Sequence, residues 1–323
     1  MGTSVVRYTG NGVAEPAWGV LREGGVHALA LDADHHADLM AVYFGERERF
    51  EAAVSPDSTD PSDLRFHAPI SERIQMFAQG LNYASHRAEG ALSTEEDDEN
   101  LVFYKASSSL CGPNDDVIRP LSVELLDYEI ELGIILKRDI REVTAVTDQT
   151  LHEYVGALLI CNDVSARDEQ FGAPVMQWFK GKSFRTFCPA GPVLYMMDEA
   201  DFTHLYALEL VLKLNGEVRQ QSTTDLLIHK PPKTLTDISE YADMFAGDCV
   251  LTGTPGGVIT GVNPRTALAI LLNFRNDRRR REKFTAAQKS RAKFLQPGDV
   301  MELTIRTADG AIDLGEQRSV VAE

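Results

Sequence analysis

Apolar and polar positions alternate in short runs through the first 70 residues. VVRY, WGVL and VHALAL each read as a β-strand punctuated by glycine and proline. DLMAVYFGERERFEAAV (38–54) switches to a helical period, and SPDSTDPSD (55–63) is a polar, turn-rich connector. RIQMFAQGLNY (73–83) returns to a strand that runs into glycine. These breaks predict a small N-terminal domain over residues 1–70 and a larger one over 71–323.

In the larger part, the apolar segments LGIIL (132–136), VGALLI (155–160), LELVLKL (208–214) and DCVLTG (248–253) are separated by glycine and proline turns. Strands and helices do not alternate regularly, which argues against a doubly wound fold or an eight-fold barrel. The pattern predicts an α+β fold dominated by mixed β-sheet. TEEDDE (94–99) reads as a solvated acidic loop. An inserted segment at about 262–293 places Leu268, Leu271 and Leu272 at helical spacing and then gives RRRR (278–281), an amphipathic helix with an exposed end.

Composition narrows the function classes. Of the 323 residues, 43% are hydrophobic, too many for a disordered chain. Lys and Arg number 32 against 49 Asp and Glu, a formal charge of −17, which argues against a nucleic-acid partner or an anionic membrane surface despite the basic run. The first residues lack the charged and apolar regions of a signal peptide, and no apolar run approaches the ~20 residues of a membrane span. A cytoplasmic location follows as the expectation. The four cysteines (Cys111, Cys161, Cys188, Cys249) are widely spaced and form no CxxC, so they read as buried thiols rather than a disulfide or zinc framework.

The strongest chemical signal is LLDYEIELGIIL (125–136). Alternate side chains of a strand share a face, so Glu129 and Glu131 point the same way with Cα atoms about 6.5–7 Å apart. An amphipathic strand with Asp127, Glu129 and Glu131 in water gives the same alternation. However, LGIIL is apolar on both faces and suits a covered strand, where carboxylates are costly unless a cation offsets their desolvation. Asp163, at the end of the apolar strand VGALLI, supplies a third carboxylate. Three oxygen ligands suit a hard divalent cation, Mg²⁺ or Mn²⁺ ahead of Ca²⁺.

Other residues offer acid–base chemistry. His86 and Glu89 become neighbours if GLNYASHRAEG forms a helical turn, and a carboxylate beside an imidazole orients a water-activating base. The same pair on an ordinary surface turn carries no function. Lys180 and Lys182 lie among aromatic residues, where a lysine either stabilises an anionic intermediate or snorkels to water. DCVLTGTPGGV (248–258) ends in a glycine-rich turn with Thr252 and Thr254. It lacks the lysine of a P-loop, and its backbone N–H groups and a hydroxyl either hold a carboxylate or simply form a tight turn.

In order along the chain, GLNYASHRAE, FYKASSSLCGP, DYEIEL, NDVSARDEQ, KGKSF, NGEVRQ and LTGTPGGV resemble the fumarylacetoacetate hydrolase family over roughly residues 75–305. The resemblance implies a mixed β-roll C-terminal domain with a smaller N-terminal domain, assembled as a homodimer. It implies that Glu129, Glu131 and Asp163 ligate the metal. His86 and Glu89 would be the water-activating dyad on a lid, with Lys182, rather than Lys180, as the site lysine. Tyr83, Arg167, Gln170, Gln220 and Thr254 would face the substrate. The implied substrate is a small anionic 2-oxo acid, and the implied reaction is hydrolysis of a carbon–carbon bond in a β-diketo acid such as an acylpyruvate or fumarylpyruvate. A β-keto-acid decarboxylase, a keto–enol isomerase or tautomerase, and a catalytically inactive metal-binding protein are the alternatives. The chain departs from shorter family members in the acidic lengthening of the lid and in about 30 residues before FLQPGD (294–299).

Overall fold

The computed structural model describes residues 1–10, 12–89, 99–172, 175–261 and 277–323. Residues 1–70 supply strands β1 (Thr3–Gly10), β2 (Val13–Arg22), β3 (Gly25–Leu29), β4 (Val54–Thr59) and β5 (Leu64–His67). Helices α1 (His36–Gly45) and α2 (Arg47–Ala52) lie between β3 and β4. The single helix expected over 38–54 is thus interrupted at Glu46, whose non-helical backbone (φ −138°, ψ 54°) follows Gly45, a poor helix former.

Next come β6 (Met76–Gly80), α3 (Ala84–Glu89), β7 (Leu101–Tyr104), β8 (Leu110–Cys111), β9 (Val117–Ile118) and β10 (Leu126–Asp127). The central strands are β11 (Ile130–Leu136) and β12 (Val155–Asn162), joined through α4 (Leu151–Tyr154). β13 (Ser165–Ala166), α5 (Arg167–Gly172), α6 (Trp178–Lys182), β14 (Cys188–Pro189) and β15 (Val193–Met196) follow. The remainder holds β16 (Leu208–Leu214), β17 (Glu217–Thr223), α7 (Pro231–Ser239), β18 (Cys249–Leu251), α8 (Asp277–Lys289), β19 (Val300–Thr307) and β20 (Asp313–Ala322).

The expected α+β fold on mixed sheet is what the chain forms. The main sheet runs β4-β3-β2-β1-β15-β12-β11-β18-β6-β7, with β5 added to β1. Its pairings are antiparallel except β18 with β6. A second sheet runs β17-β16-β19-β20-β9. Hydrogen bonding crosses the expected domain boundary, because β1 pairs with β15 in register Val5↔Leu194.

The period-two alternation of β11 decides where the site lies. Ile130, Leu132, Ile134 and Leu136 point into the core shared with Leu210, Leu212, Leu303 and Ile305 of the second sheet. Ile135 points the other way, with Ala157 and Leu159, into a core that α1 and α2 close with Leu39, Met40, Tyr43 and Phe50. Both faces are therefore covered, which rules out the solvated reading of the β11 carboxylates. Cys161, Cys188 and Cys249 are buried free thiols, while Cys111 is half-buried.

Leu268, Leu271, Leu272 and most of TEEDDE fall outside the described residues. In the described part of the insertion, α8 spans Asp277–Lys289, and its Phe284 packs with Leu125 and Phe294. Among the described residues, no helix is long and apolar enough to cross a membrane.

One buried histidine ties the N-terminal segment to the rest. His36 donates from Nε2 to the Gly247 carbonyl (2.8 Å) and accepts at Nδ1 from the Ser71 N–H (3.0 Å), so it must be neutral. Burial, with smaller contributions from His35 and Arg7, lowers its pKa from 6.5 to about 3. The unfolded chain then binds a proton that the folded one refuses. The contribution is fully present above pH 6.5 and is lost as pH falls toward about 3, reaching about 2 kcal/mol at pH 5. Urea unfolding of the parent and His36→Gln at pH 7.5 and 5 should show the parent losing about that much more stability than the variant. Equal losses would remove His36 as a source of acid sensitivity.

Candidate active site

Strand pairing assembles the carboxylates. Ile130 lies opposite Asn162 and Glu131 opposite Cys161, and the Asp163 N–H donates to the Glu129 carbonyl at 2.8 Å. Continuing the ladder in this way places Asp163 beside Glu129 and Glu131. One oxygen from each of the three lies within 4.8 Å of the others, and all three residues are buried. The glycine-rich turn after β18 completes the arrangement, since the Gly253 N–H donates to Glu131 Oε2 at 2.8 Å. Gly253 adopts φ +89°, and a Cβ there would stand 2.7 Å from Asn82 Cβ, so the turn requires glycine.

Three cations face these anions. Lys182 Nζ bridges Glu129 Oε2 (2.5 Å) and Asp163 Oδ2 (2.6 Å). Lys105 Nζ contacts Asp163 Oδ1 (2.7 Å) and donates to the carbonyl of Lys182. Arg167 contacts Glu129 Oε1 (2.6 Å) and Asp127 Oδ2 (2.9 Å). Burial opposes ionisation of Glu129, but Lys182 and Arg167 outweigh it and bring its pKa down to about 2. Among the described residues Glu131 has no such partner in contact. Burial and the charges of Asp163 and Glu129 push its carboxyl well above the usual range.

Four carboxylates (Asp127, Glu129, Glu131, Asp163) thus meet three cations in a dry space. A divalent ion among the oxygens of Glu129, Glu131 and Asp163 would satisfy Glu131 and turn the local balance positive. That sign suits an anionic ligand, and the all-oxygen donor set suits a hard cation.

His86 and Glu89 meet on α3. Glu89 Oε2 lies 3.0 Å from His86 Nδ1. The carboxylate fixes the proton on Nδ1 in the neutral ring, leaving Nε2 as an acceptor. Glu89 Oε1 accepts from the Gly257 N–H (2.7 Å), and Ser85 Oγ accepts from the Gly256 N–H (3.0 Å), so the TGTPGG turn anchors the helix. His86 stands near enough to Glu129 that a proton taken up by the ring would favour the ionised Glu129 carboxylate.

The backbone N–H groups of this turn hold carboxylates, as the sequence suggested, but they are the protein's own. Besides Glu131 and Glu89, Asp127 accepts from the N–H groups of Ile259 and Thr260, both at 3.0 Å.

The remaining expected residues divide. Tyr83 and Gln170 are buried, and the Tyr83 hydroxyl and Gln170 Nε2 have no partner among the described residues. Gln170 Oε1 accepts from Arg167 Nη1 at 3.0 Å. Gln220 and Thr254, expected against the substrate, are committed elsewhere. Gln220 accepts from Ile130 N–H (3.0 Å) and donates to Thr254 Oγ1 and the Pro255 carbonyl (both 2.8 Å), while Thr254 donates to the Ile130 carbonyl (2.9 Å). Together they pin the residue between the two glutamates. Lys180 points away from the site and pairs with Glu169 at 2.5 Å. Lys105 was not singled out from its sequence. Its side chain is fully buried, and the only signal was a lysine inside the otherwise apolar and small FYKASSS.

Residues 75–322 match the sequence model of the fumarylacetoacetate (FAA) hydrolase C-terminal domain. The chain is 34% identical over 259 residues to a 2,4-didehydro-3-deoxy-L-rhamnonate hydrolase of Sphingomonas sp. (strain SKA58), covering 80% of this chain and 77% of that protein. It is 36% identical over 197 residues to a mitochondrial oxaloacetate tautomerase of Bos taurus, covering 61% of this chain and 60% of the length of that relative. The solved fumarylacetoacetate hydrolase from psychrophilic Exiguobacterium antarcticum superimposes with a TM-score of 0.75 at 27% identity, covering 99% of both chains.

Proposed function

The chain belongs to the fumarylacetoacetate hydrolase family, and from that premise we propose that it is a divalent-metal-dependent enzyme hydrolysing a carbon–carbon bond in a β-diketo acid of the acylpyruvate or fumarylpyruvate type. The observation that carries this reading is the His86–Glu89 pair within electrostatic reach of the buried triad, an oriented base near carboxylates that would hold a metal and its 2-oxo acid. Glu129, Glu131 and Asp163 would hold Mg²⁺ or Mn²⁺, since Ca²⁺ favours more ligands than three carboxylates supply. When bound, the ion supplies chelation of the substrate's carboxylate and 2-oxo oxygen, and Lewis-acid charge for an enolate.

The protein's own residues do the rest. Glu89 holds His86 with Nδ1–H toward it, and Nε2 takes a proton from water as the water oxygen bonds to the distal carbonyl carbon. The bond from that carbon to the central methylene breaks, its electron pair passing into a pyruvate enolate. The Lys182 ammonium stabilises the enolate oxygen. The proton on His86 returns to the methylene carbon, leaving a carboxylic acid and pyruvate.

A second reading is favoured by the likeness to an oxaloacetate tautomerase. There the same base would move a proton between carbon and oxygen, with no attack by water. Turnover of acetylpyruvate and of oxaloacetate in ¹⁸O-water separates the two. Hydrolysis places one ¹⁸O in the released carboxylate. Rapid enol–keto interconversion of oxaloacetate, with acetylpyruvate left intact, would replace the hydrolase reading by the tautomerase. The proposed assembly is a homodimer, which light scattering tests.

A further inference from the structure

The insertion helix α8 is far from the triad in sequence, yet it touches α5, which carries Arg167 and Gln170, and the segments on either side of Asp127 and its turn. Arg281 Nη2 pairs with Glu169 Oε1 (2.6 Å) and Asp168 Oδ2 (3.2 Å), the two residues that follow Arg167 in α5. The same nitrogen donates to the Ser122 carbonyl at 3.0 Å. Asp168 Oδ2 in turn accepts from the Glu124 N–H (3.0 Å), and Lys289 pairs with Glu124, just ahead of the strand that carries Asp127.

The apolar contacts repeat this pattern. Phe284 meets Phe171 of α5 with ring centroids 5.9 Å apart. A Cβ on Gly172 would stand 2.9 Å from Arg281 Cγ, so the arginine stem lies directly on the end of α5. At the far end of α8, Gln288 Nε2 donates to the Gly261 carbonyl (2.9 Å), next to the Ile259–Thr260 pair that holds Asp127.

We propose that α8 is a clasp over the active site and that Arg281 is a positioning residue, acting through Asp168 and Glu169 to set the Arg167 and Gln170 side chains toward the 2-oxo acid. α5 has only six residues, so its own helical hydrogen bonds cannot hold it rigidly. Arg281 and Lys180 both neutralise Glu169, which lies on a helix whose first residue is already committed to Asp127 and Glu129. Gln170 Nε2, buried with no described partner, is the group whose placement depends on this brace.

The kinetic part of this inference rests on the proposed function, so its test has two arms. Arg281→Met keeps the stem on Gly172 and removes the charge. Arg278→Met is the control, because Arg278 pairs with Glu282 on the exposed side of the same helix. In the Mg²⁺-loaded protein, Arg281→Met should raise KM for acetylpyruvate and the dissociation constant of oxalate about tenfold, with kcat changed less than about threefold. Arg281→Lys should recover most of the loss, and Arg278→Met should behave as the parent. A purely structural helix would lower thermal stability and leave KM unchanged, and that result would overturn the proposal.

The second arm needs no turnover. Hydrogen exchange of amides 167–172 should accelerate in Arg281→Met and not in Arg278→Met. Unchanged exchange there overturns the clasp whatever the activity. If the parent turns over no 2-oxo acid while exchange still accelerates in Arg281→Met, the proposed function fails and the clasp stands.

Discussion

His86→Ala is expected to lower kcat for β-diketo acid hydrolysis by about 10²–10⁴-fold while leaving Mg²⁺ affinity within about threefold of the parent. The separation follows from the geometry. His86 sits on α3, held by Glu89 and the Gly256–Gly257 turn, whereas the triad oxygens come from the start of β11, the residue before it and the residue after β12, and are held by Lys105, Lys182, Arg167 and Gly253. Removing the imidazole takes away the proton acceptor and disturbs none of the hydrogen bonds made by the triad. Glu89→Gln should cost less, roughly tenfold to a hundredfold, because the amide retains a hydrogen bond to the ring but no longer supports the imidazolium. Single-turnover kinetics and calorimetric Mg²⁺ titration together test the claim. Hydrolysis at the parent rate in His86→Ala would exclude His86 as the base.

What was legible in the sequence was the part governed by periodicity. Glu129 and Glu131 share a face because a strand repeats every two residues, and Asp163 joins them because it sits one step past the end of the neighbouring strand, where the Asn162–Ile130 register delivers it. His86 and Glu89 meet because a single helical turn suffices. Less legible were the residues whose role depends on partners distant in the chain. Lys105 is 58 positions from Asp163, and nothing local distinguishes it from a lysine that snorkels to water. Gln220 and Thr254 lie near the site, as the family resemblance suggested, but their hydrogen-bonding atoms are consumed by the backbone of Ile130, by each other and by the Pro255 carbonyl. They bear on the chemistry by fixing the direction of the two glutamates. The basic run RRRR was readable as a helix end, but not its target, because Asp168, which receives Arg281, lies 113 positions away in the chain.

Two substitutions in the triad are expected to abolish activity and yet to move the stability of the metal-free protein in opposite directions. Asp163 is the shared acceptor of Lys105 and Lys182, both buried. In Asp163→Asn the two ammonium groups keep only Glu129 and carbonyl oxygens as partners, and breaking a buried ion pair from one side costs about 3–5 kcal/mol. Glu131 has the reverse environment: one backbone N–H, no cation in contact among the described residues, and burial and two neighbouring carboxylates that raise its pKa. The sign follows directly. A carboxyl whose folded pKa lies above its unfolded one is destabilising wherever it is forced to ionise, so the neutral amide of Glu131→Gln removes a cost at neutral pH and still accepts from Gly253. The metal-stripped Glu131→Gln protein should therefore unfold at a urea concentration equal to or above the parent's, and Asp163→Asn well below it. Added Mg²⁺ should stabilise the parent and neither variant, because each has lost a ligand oxygen of full charge. A metal-free Glu131→Gln less stable than the parent would show that Glu131 is already compensated, and the electrostatic case for a cation at this centre would fall with it.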